Sequence, residues 1–239
     1  MDLGYFETSL PVKDIAASMA FYEAVGFTRA EYDEDQGVAT MVRGDCRLGL
    51  FQGHLDPDRA QLIFWQGPVE AVAEAAERAG LGFRTPLQQD SEGGAGFKLD
   101  DPDGHPLHFI RMESPSEVPF GGLVIDPAFG WYLASLPVED MDRSVDFYEA
   151  LGFVVVERMA DSRHVVLQNA DCRIGVYKGH LQPERFQLVF WQGDIDALAD
   201  HMRGAGLAFR SGPNGSGDNA SFMLEDPDGH PLFFIRMPA

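Results

Sequence analysis

The sequence predicts an α+β protein of four strand–helix–strand–strand–strand (βαβββ) modules arranged in two pairs with mixed sheets. Three observations predict it. A long segment of the chain is written twice, strand and helix signals follow in the same order in both halves, and that order occurs twice within each half. The duplication is plainest at Asp101-Pro102-Asp103-Gly104-His105-Pro106-Leu107, which returns as Asp226-Pro227-Asp228-Gly229-His230-Pro231-Leu232. Both copies are tight turns, because Pro presets φ, Asp bonds its own backbone and Gly accepts positive φ. Each runs into a short apolar strand, His108-Phe109-Ile110 or Phe233-Phe234-Ile235.

Earlier in each half, Leu10-Pro11-Val12 recurs as Leu136-Pro137-Val138, an offset of 126 residues (11 to 137). Phe21-Tyr22-Glu23-Ala24, Asp45-Cys46-Arg47 and Phe64-Trp65-Gln66-Gly67 recur at the same offset; by the turn it is 125 (101 to 226). Solenoid repeats run at about 20 to 50 residues, so this is a domain duplication. The expected organisation is a first domain at 1–113, a linker at 114–128 and a second domain at 129–239.

Residues 4–12 alternate and predict a strand with Phe6, Thr8, Leu10 and Val12 on one face and Tyr5, Glu7 and Ser9 on the other. Ile15, Met19, Tyr22 and Val25 predict a helix over about 14–25, stopped by Gly26. Strands follow at 27–32, 38–43 and 46–51. The order then repeats. A strand at 61–65 precedes an Ala-rich helix at 68–79, ended by Gly80, and strands near 82–85, 95–100 and 106–112. Polar, Gly-rich loops at 88–94 and 212–219 are surface connections or covers for a cavity mouth. The Pro-containing linker implies a defined path, with Phe120, Leu123, Val124 and Ile125 packing on a domain.

With 239 residues, 45% of them hydrophobic, the chain can bury two cores of ordinary size. Its 18 basic and 38 acidic residues give a net charge of −20, which repels phosphate backbones and argues against nucleic acid as a partner. No basic segment leads an apolar run after Met1, and no stretch reaches the roughly 18 apolar residues of a membrane span, so no membrane partner and a cytoplasmic location are expected. Cys46 and Cys172, one per copy, are expected to be buried thiols, which suits a reducing compartment.

Leu-Pro-Val with an acidic residue and Ser after it, then Phe-Tyr and Gly-Phe, closed by Asp-Pro-Asp-Gly and an apolar strand, resembles the vicinal oxygen chelate superfamily of glyoxalases, bleomycin-resistance proteins and extradiol dioxygenases. The resemblance covers nearly the whole chain, twice. It implies paired glyoxalase-like domains, each curving into a cupped sheet around a pocket. In metal-dependent members, ligands point into the cup from the first and last strands of the modules. The matching positions are Glu7, Gly49, Gln61 and His108 in the first copy and Leu133, Gly175, Gln187 and Phe233 in the second. Family members commonly carry His or Gln on the opening strands and Glu on the closing one, so His108 stands where Glu is usual. The second copy keeps one polar side chain. The expectation is therefore no cofactor. The alternative is one divalent metal ion in the first domain, held by Glu7, Gln61 and His108 and serving a lyase or dioxygenase.

Without an ion, those three residues are expected to hydrogen-bond one another or a bound molecule. Glu7 beside His108 would favour a protonated imidazole titrating near neutrality. No Ser-His-Asp, Cys-His, HExxH or phosphate-loop pattern accompanies them. Strand parity puts Gln61, Ile63 and Trp65 on one face, as it does Arg47, Gly49 and Phe51, and His108 with Ile110. The counterparts are Gln187, Val189 and Trp191; Arg173, Gly175 and Tyr177; and Phe233 with Ile235.

The candidate ligand-binding residues are thus Glu7, Arg47, Phe51, Gln61, Trp65 and His108 in the first copy, and Arg173, Tyr177, Gln187 and Trp191 in the second. Such a cup has an aromatic wall, amides and an Arg near its rim, and suits a flat, partly apolar organic molecule with an anionic group near Arg47 or Arg173. In the competing reading, Trp65 and Trp191 simply fill a core. His54 and His180, with Arg59 and Arg185, are expected to make structural loop contacts, and His105 and His230 to be exposed or capping. A structural or protein-interaction role is a third reading. One chain holding both copies is expected to be a monomer or homodimer, and whether each cup forms within a copy or across copies is open.

Overall fold

The computed structural model describes residues 1–57, 59–113, 123–159, 163–179 and 186–238. The first module is β1 (Gly4–Val12), α1 (Ile15–Val25), β2 (Thr28–Asp33), β3 (Val38–Arg43) and β4 (Cys46–Gln52). The second is β5 (Gln61–Gln66), α2 (Val69–Arg78), β6 (Phe83–Gln89), β7 (Ala95–Asp100) and β8 (Pro106–Arg111). The third is β9 (Trp131–Pro137), α3 (Met141–Ala150), β10 (Val154–Arg158), β11 (His164–Asn169) and β12 (Cys172–Tyr177). The fourth is β13 (Gln187–Trp191), α4 (Ile195–Gly204), β14 (Phe209–Ser216), β15 (Asn219–Glu225) and β16 (Pro231–Arg236). The strand orders are β2-β3-β4-β1-β5-β8-β7-β6 and β10-β11-β12-β9-β13-β16-β15-β14. Both sheets are mixed: β5 with β8 and β13 with β16 run parallel, while β1 with β5 and β7 with β8 run antiparallel.

Local chemistry sets the helix ends. The Asp14 side chain accepts the Ala17 N–H at the start of α1, and Asp140 does the same for α3 with Asp142 and Arg143. Gly26 closes α1 at φ 113°, a left-handed conformation that glycine adopts without strain. Ile15, Met19, Tyr22 and Val25 form the buried stripe of α1, as their spacing predicts.

Two loop expectations are corrected. Residues 212–216 belong to β14, which pairs with β15 through register shifts, and the Gly-rich composition is what lets it do so. Gly212 and Gly215 hold φ of 80° and 70°, and a Cβ on Gly215 would lie 1.9 Å from the Asn219 carbonyl oxygen. Pro213 is tolerated because β14 is an edge strand. Likewise Gln88 and Gln89 are in β6, leaving a turn in which Asp90 Oδ1 accepts the N–H groups of Glu92 and Gly94. Of the linker, 114–122 lie outside the described residues, Phe120 among them. Val124 and Ile125 are exposed, the former at 73%, and so do not pack as expected. Asp126 ties that segment down instead, through a 2.7 Å ion pair with Arg43.

By contact the chain divides into two compact units, Met1–Ser9 with Arg59–Gly121 and Ser135–Arg185, and Leu10–Asp58 with Gly122–Ala134 and Phe186–Ala239. The core of the first holds Phe64 and Phe97 stacked on Phe109 at 4.9 and 4.7 Å. That of the second holds Phe190 and Phe222 stacked on Phe234 at 4.8 and 4.6 Å. Cys46 and Cys172 are free and buried, and burial pushes both thiols well above their ordinary range.

The duplicated turn is a clamp built the same way in each unit. In the first unit, Asp101 Oδ1 accepts the N–H groups of Asp103 and His105, and Oδ2 accepts the buried Tyr148 hydroxyl at 2.9 Å. His105 Nε2 lies 2.9 Å from the Pro137 carbonyl oxygen, and Asp103 accepts the Glu139 N–H and the Ser144 hydroxyl. In the second unit, Asp226 receives Asp228, His230 and Tyr22, His230 reaches the Pro11 carbonyl, and Asp228 receives the Lys13 N–H and the Ser18 hydroxyl. His105 and His230 are therefore half-buried struts, more than the exposed or capping residues expected. Burial raises both Asp101 and Asp226 above the usual carboxylate range, against the opposing pull of His105 and His230.

Candidate functional site

In the first unit, backbone register lines up side chains in rows across neighbouring strands, since residues directly opposite share a face. Tyr5 of β1 faces Trp65 of β5, Trp65 faces Ile110 of β8, and Ile110 faces Gly96 of β7. The next row is Glu7, Ile63, His108 and Lys98, and beyond it Ser9 faces Gln61. One row is therefore aromatic and apolar and ends in a glycine gap; its neighbour carries an acid, an imidazole and an ammonium. The opposite face of these strands holds Phe6, Phe64, Phe97 and Phe109, all in the core.

The polar groups differ in how they are satisfied. Glu7 is 3% exposed, and its Oε1 accepts the Ser9 hydroxyl at 2.8 Å. Gln61 is buried, and its Oε1 has no hydrogen-bond partner among the described residues. His108 is half-buried and makes no hydrogen bond among them either. Burial, with the neighbouring Lys98 ammonium, lowers its pKa to about 4. The imidazole is neutral at pH 7, which corrects the expectation that Glu7 would hold it protonated.

His108 lies in an open cleft of about 690 Å³ along β6 to β8, whose lining includes Thr85, Gln88, Gly96, Lys98 and Ile110. Asp90, Glu92 and Gly94 of the 90–94 turn border it. Arg111 also lines it but is neutralised by two 2.6 Å hydrogen bonds to Glu70, which hold the Glu70 carboxyl down to about 2. The acids on the lining are Asp90, Glu92 and Glu113.

The family model for the glyoxalase/bleomycin resistance protein/dioxygenase superfamily matches residues 4–109 and again 129–234. The chain belongs to that superfamily. Among solved structures, it is similar to an extradiol ring-cleaving dioxygenase from Brevibacterium fuscum, at 21% identity and TM-score 0.64 over 100% of this chain and 72% of that one. It is also similar to a Mn(II)-bound glyoxalase from Novosphingobium aromaticivorans, at 19% identity and TM-score 0.64 over 98% and 81%. A third is a homoprotocatechuate 2,3-dioxygenase from Arthrobacter globiformis, at 22% identity and TM-score 0.61 over 99% and 80%. These likenesses speak to the fold. No protein of curated function matches the chain.

A superfamily that includes metal-bound members raises the question of whether these residues fit an ion. They do not. Among the described residues no three His, Cys, Asp or Glu side chains gather in one place. Within the row, Ile63 stands between Glu7 and His108, Gln61 offers only an amide, and the Lys98 ammonium opposite His108 opposes a second cation.

The remaining sequence candidates are placed as follows. Arg47 is 2% exposed, so it is buried and not at a rim as expected, while Phe51 is half-buried. Arg173 is half-buried and Tyr177 buried, and burial raises the Tyr177 phenol. Gln187 is fully buried, with neither amide atom partnered among the described residues. Trp191 lies 5.9 Å from Trp131, ring to ring. His54 Nε2 reaches the Gln36 carbonyl and Arg59 the Gly104 carbonyl, both structural contacts as expected; His180 and Arg185 lie outside the described residues.

Three residues of these two rows, Tyr5, Gly96 and Lys98, are not among the residues the sequence singles out. The signal for Tyr5 was its shared parity with Glu7, and Trp131 repeats it 126 residues on (5 to 131). For Lys98 and Gly96 it was the alternation of 95–100, in which Ala95, Phe97 and Leu99 are buried and the residues between are less so.

Proposed function

We propose that the chain binds a small, partly aromatic organic molecule on the Trp65 and His108 face of the first unit, through side-chain contacts and without a chelated ion. The observation that supports it is a neutral imidazole, without a hydrogen bond among the described residues, on the lining of an open cleft, with Ile110 beside it there and Trp65 and Tyr5 continuing the Ile110 row in register beyond the cleft. Ligand sites take this form, an apolar bed with a few convergent polar groups that fix orientation. The Gln61 carbonyl is buried without a partner among the described residues, which costs about 1 to 3 kcal/mol in isolation, and the His108 ring offers a bound molecule a hydrogen bond at the cleft wall.

The test is equilibrium binding of a panel of small ring compounds to chelator-treated protein, measured by titration calorimetry and repeated on Trp65→Leu. Binding that survives chelator and weakens about tenfold or more in Trp65→Leu supports the reading. Absence of any binder, or binding that returns only with added divalent metal, overturns it.

A further inference from the structure

The duplication supplies an internal comparison that singles out Lys98. Residue 98 corresponds to residue 223 at the offset of 125, and His108 to Phe233. Lys98 and His108 are register partners in the first copy, and Met223 and Phe233 are register partners in the second. Glu7 in the same row corresponds to Leu133. At every position where the first copy's row is polar, the second is apolar, so the scaffold folds around a methionine and a phenylalanine there. The polar pair is not a requirement of the fold.

Lys98 is half-buried on the cleft lining and has no ion pair or hydrogen bond among the described residues. The cleft acids, Asp90, Glu92 and Glu113, lie in or after the bordering turn and at the end of β8, and none pairs with it; the other lining cation, Arg111, is already bound to Glu70. Lys98 is thus the lining cation left without a partner among the described residues, and an anion delivered into the cleft would gain a charge-assisted contact with it. Gly96, beside it on β7, keeps the approach open: a Cβ there would come within 3.6 Å of His108 Nε2 and 3.3 Å of the Phe109 carbonyl oxygen.

We propose that Lys98 and His108 form a two-point site for a small ring-bearing organic carboxylate. Lys98 pairs with the carboxylate, His108 hydrogen-bonds a neighbouring polar group, and the ring lies along Tyr5, Trp65 and Ile110. The inference rests on the small-molecule reading above and adds the charge class of the ligand and the residue that selects it.

The probes are 4-hydroxybenzoate and 4-hydroxybenzamide, of equal size and differing in charge, titrated by NMR into chelator-treated protein while the His108 ring resonances and, in every variant, the Ile110 methyl resonances are followed. The variants are Lys98→Met and the double variant Lys98→Met/His108→Phe, which installs the pair that the second copy already carries at these register positions. The benzoate is expected to shift the His108 resonances and to bind about tenfold tighter than the benzamide, with that preference gone in Lys98→Met and binding at this face gone in the double variant. Equal binding of both probes to the native protein, or an unchanged preference in Lys98→Met, overturns the carboxylate site and leaves the small-molecule reading standing. If neither probe binds while other ring compounds do, the carboxylate class is likewise wrong. If no ring compound binds, both readings fall together.

Discussion

Replacing His108 with Phe, the residue at its counterpart position 233, removes a half-buried imidazole whose folded pKa is about 4 against an ordinary 6.5. Burial is the main cause and the Lys98 ammonium the second. Because the folded state resists protonation and the unfolded state does not, the unfolded chain binds more protons between those two values. The stability associated with neutral His108 is therefore complete above the unfolded pKa and is lost as pH falls through the window toward the folded one. Between about pH 7.5 and about pH 5.5 the unfolded imidazole takes up nearly one proton and the folded one almost none, which integrates to about 1.3 kcal/mol. The assay is urea denaturation of native protein and His108→Phe at both pH values. Taking the difference between the two proteins cancels every other titrating group, including the two clamp aspartates. The native protein should lose about 1.3 kcal/mol more than the variant on acidification. Parallel pH dependences in the two proteins would refute the claim that this imidazole is held neutral, and with it the electrostatic picture of the cleft.

Four further substitutions, in two pairs, test the buried polar contacts of the two units. Tyr148→Phe and Tyr22→Phe each strip a buried hydroxyl from a clamp aspartate, and each should cost about 1 to 3 kcal/mol in denaturant unfolding; a loss under about 0.5 kcal/mol in both would mean the clamps contribute little. Ser9→Ala removes one hydrogen bond to Glu7 and should cost about 1 kcal/mol, whereas Ser135→Ala removes a buried hydroxyl with no partner among the described residues and should be neutral or stabilising. The reverse ranking would show that the two hydroxyls are satisfied in some other way.

Much of the fold was legible because the sequence carries local instructions that tertiary context did not override. The Asp14 and Gly26 ends of α1 and the Asp-Pro-Asp-Gly corners are each specified within a few residues. What failed was composition standing in for conformation. The Gly-rich stretch at 212–216 reads as loop because glycine and proline depress strand propensity, yet an edge strand absorbs both through bulges.

The site was half legible. Period-2 parity put Gln61, Ile63, Trp65, His108 and Ile110 on one face, and the register pairs them there. The environment of each group was not legible, since burial and partners depend on strands distant in sequence. Arg47 looks like a rim cation and is buried, and His108 looks like a partner for Glu7 and instead sits opposite Lys98, with Ile63 on its other side. Lys98 escaped notice because a lone lysine in an alternating strand ordinarily faces solvent. Only the repeat, which puts Met223 in its place, marks the position as unusual.

The claim that this first-unit site works without a chelated ion is tested most directly by elemental analysis of extensively dialysed protein, purified without affinity-tag metal and reincubated separately with Zn, Ni, Mn and Fe(II). No ion retained in proportion to the chain under any of these conditions is the expected result, because an amide, a carboxylate shared with Ser9 and an imidazole beside an ammonium make a poor donor set. About one tightly held ion per chain, lost on His108→Ala, would contradict it.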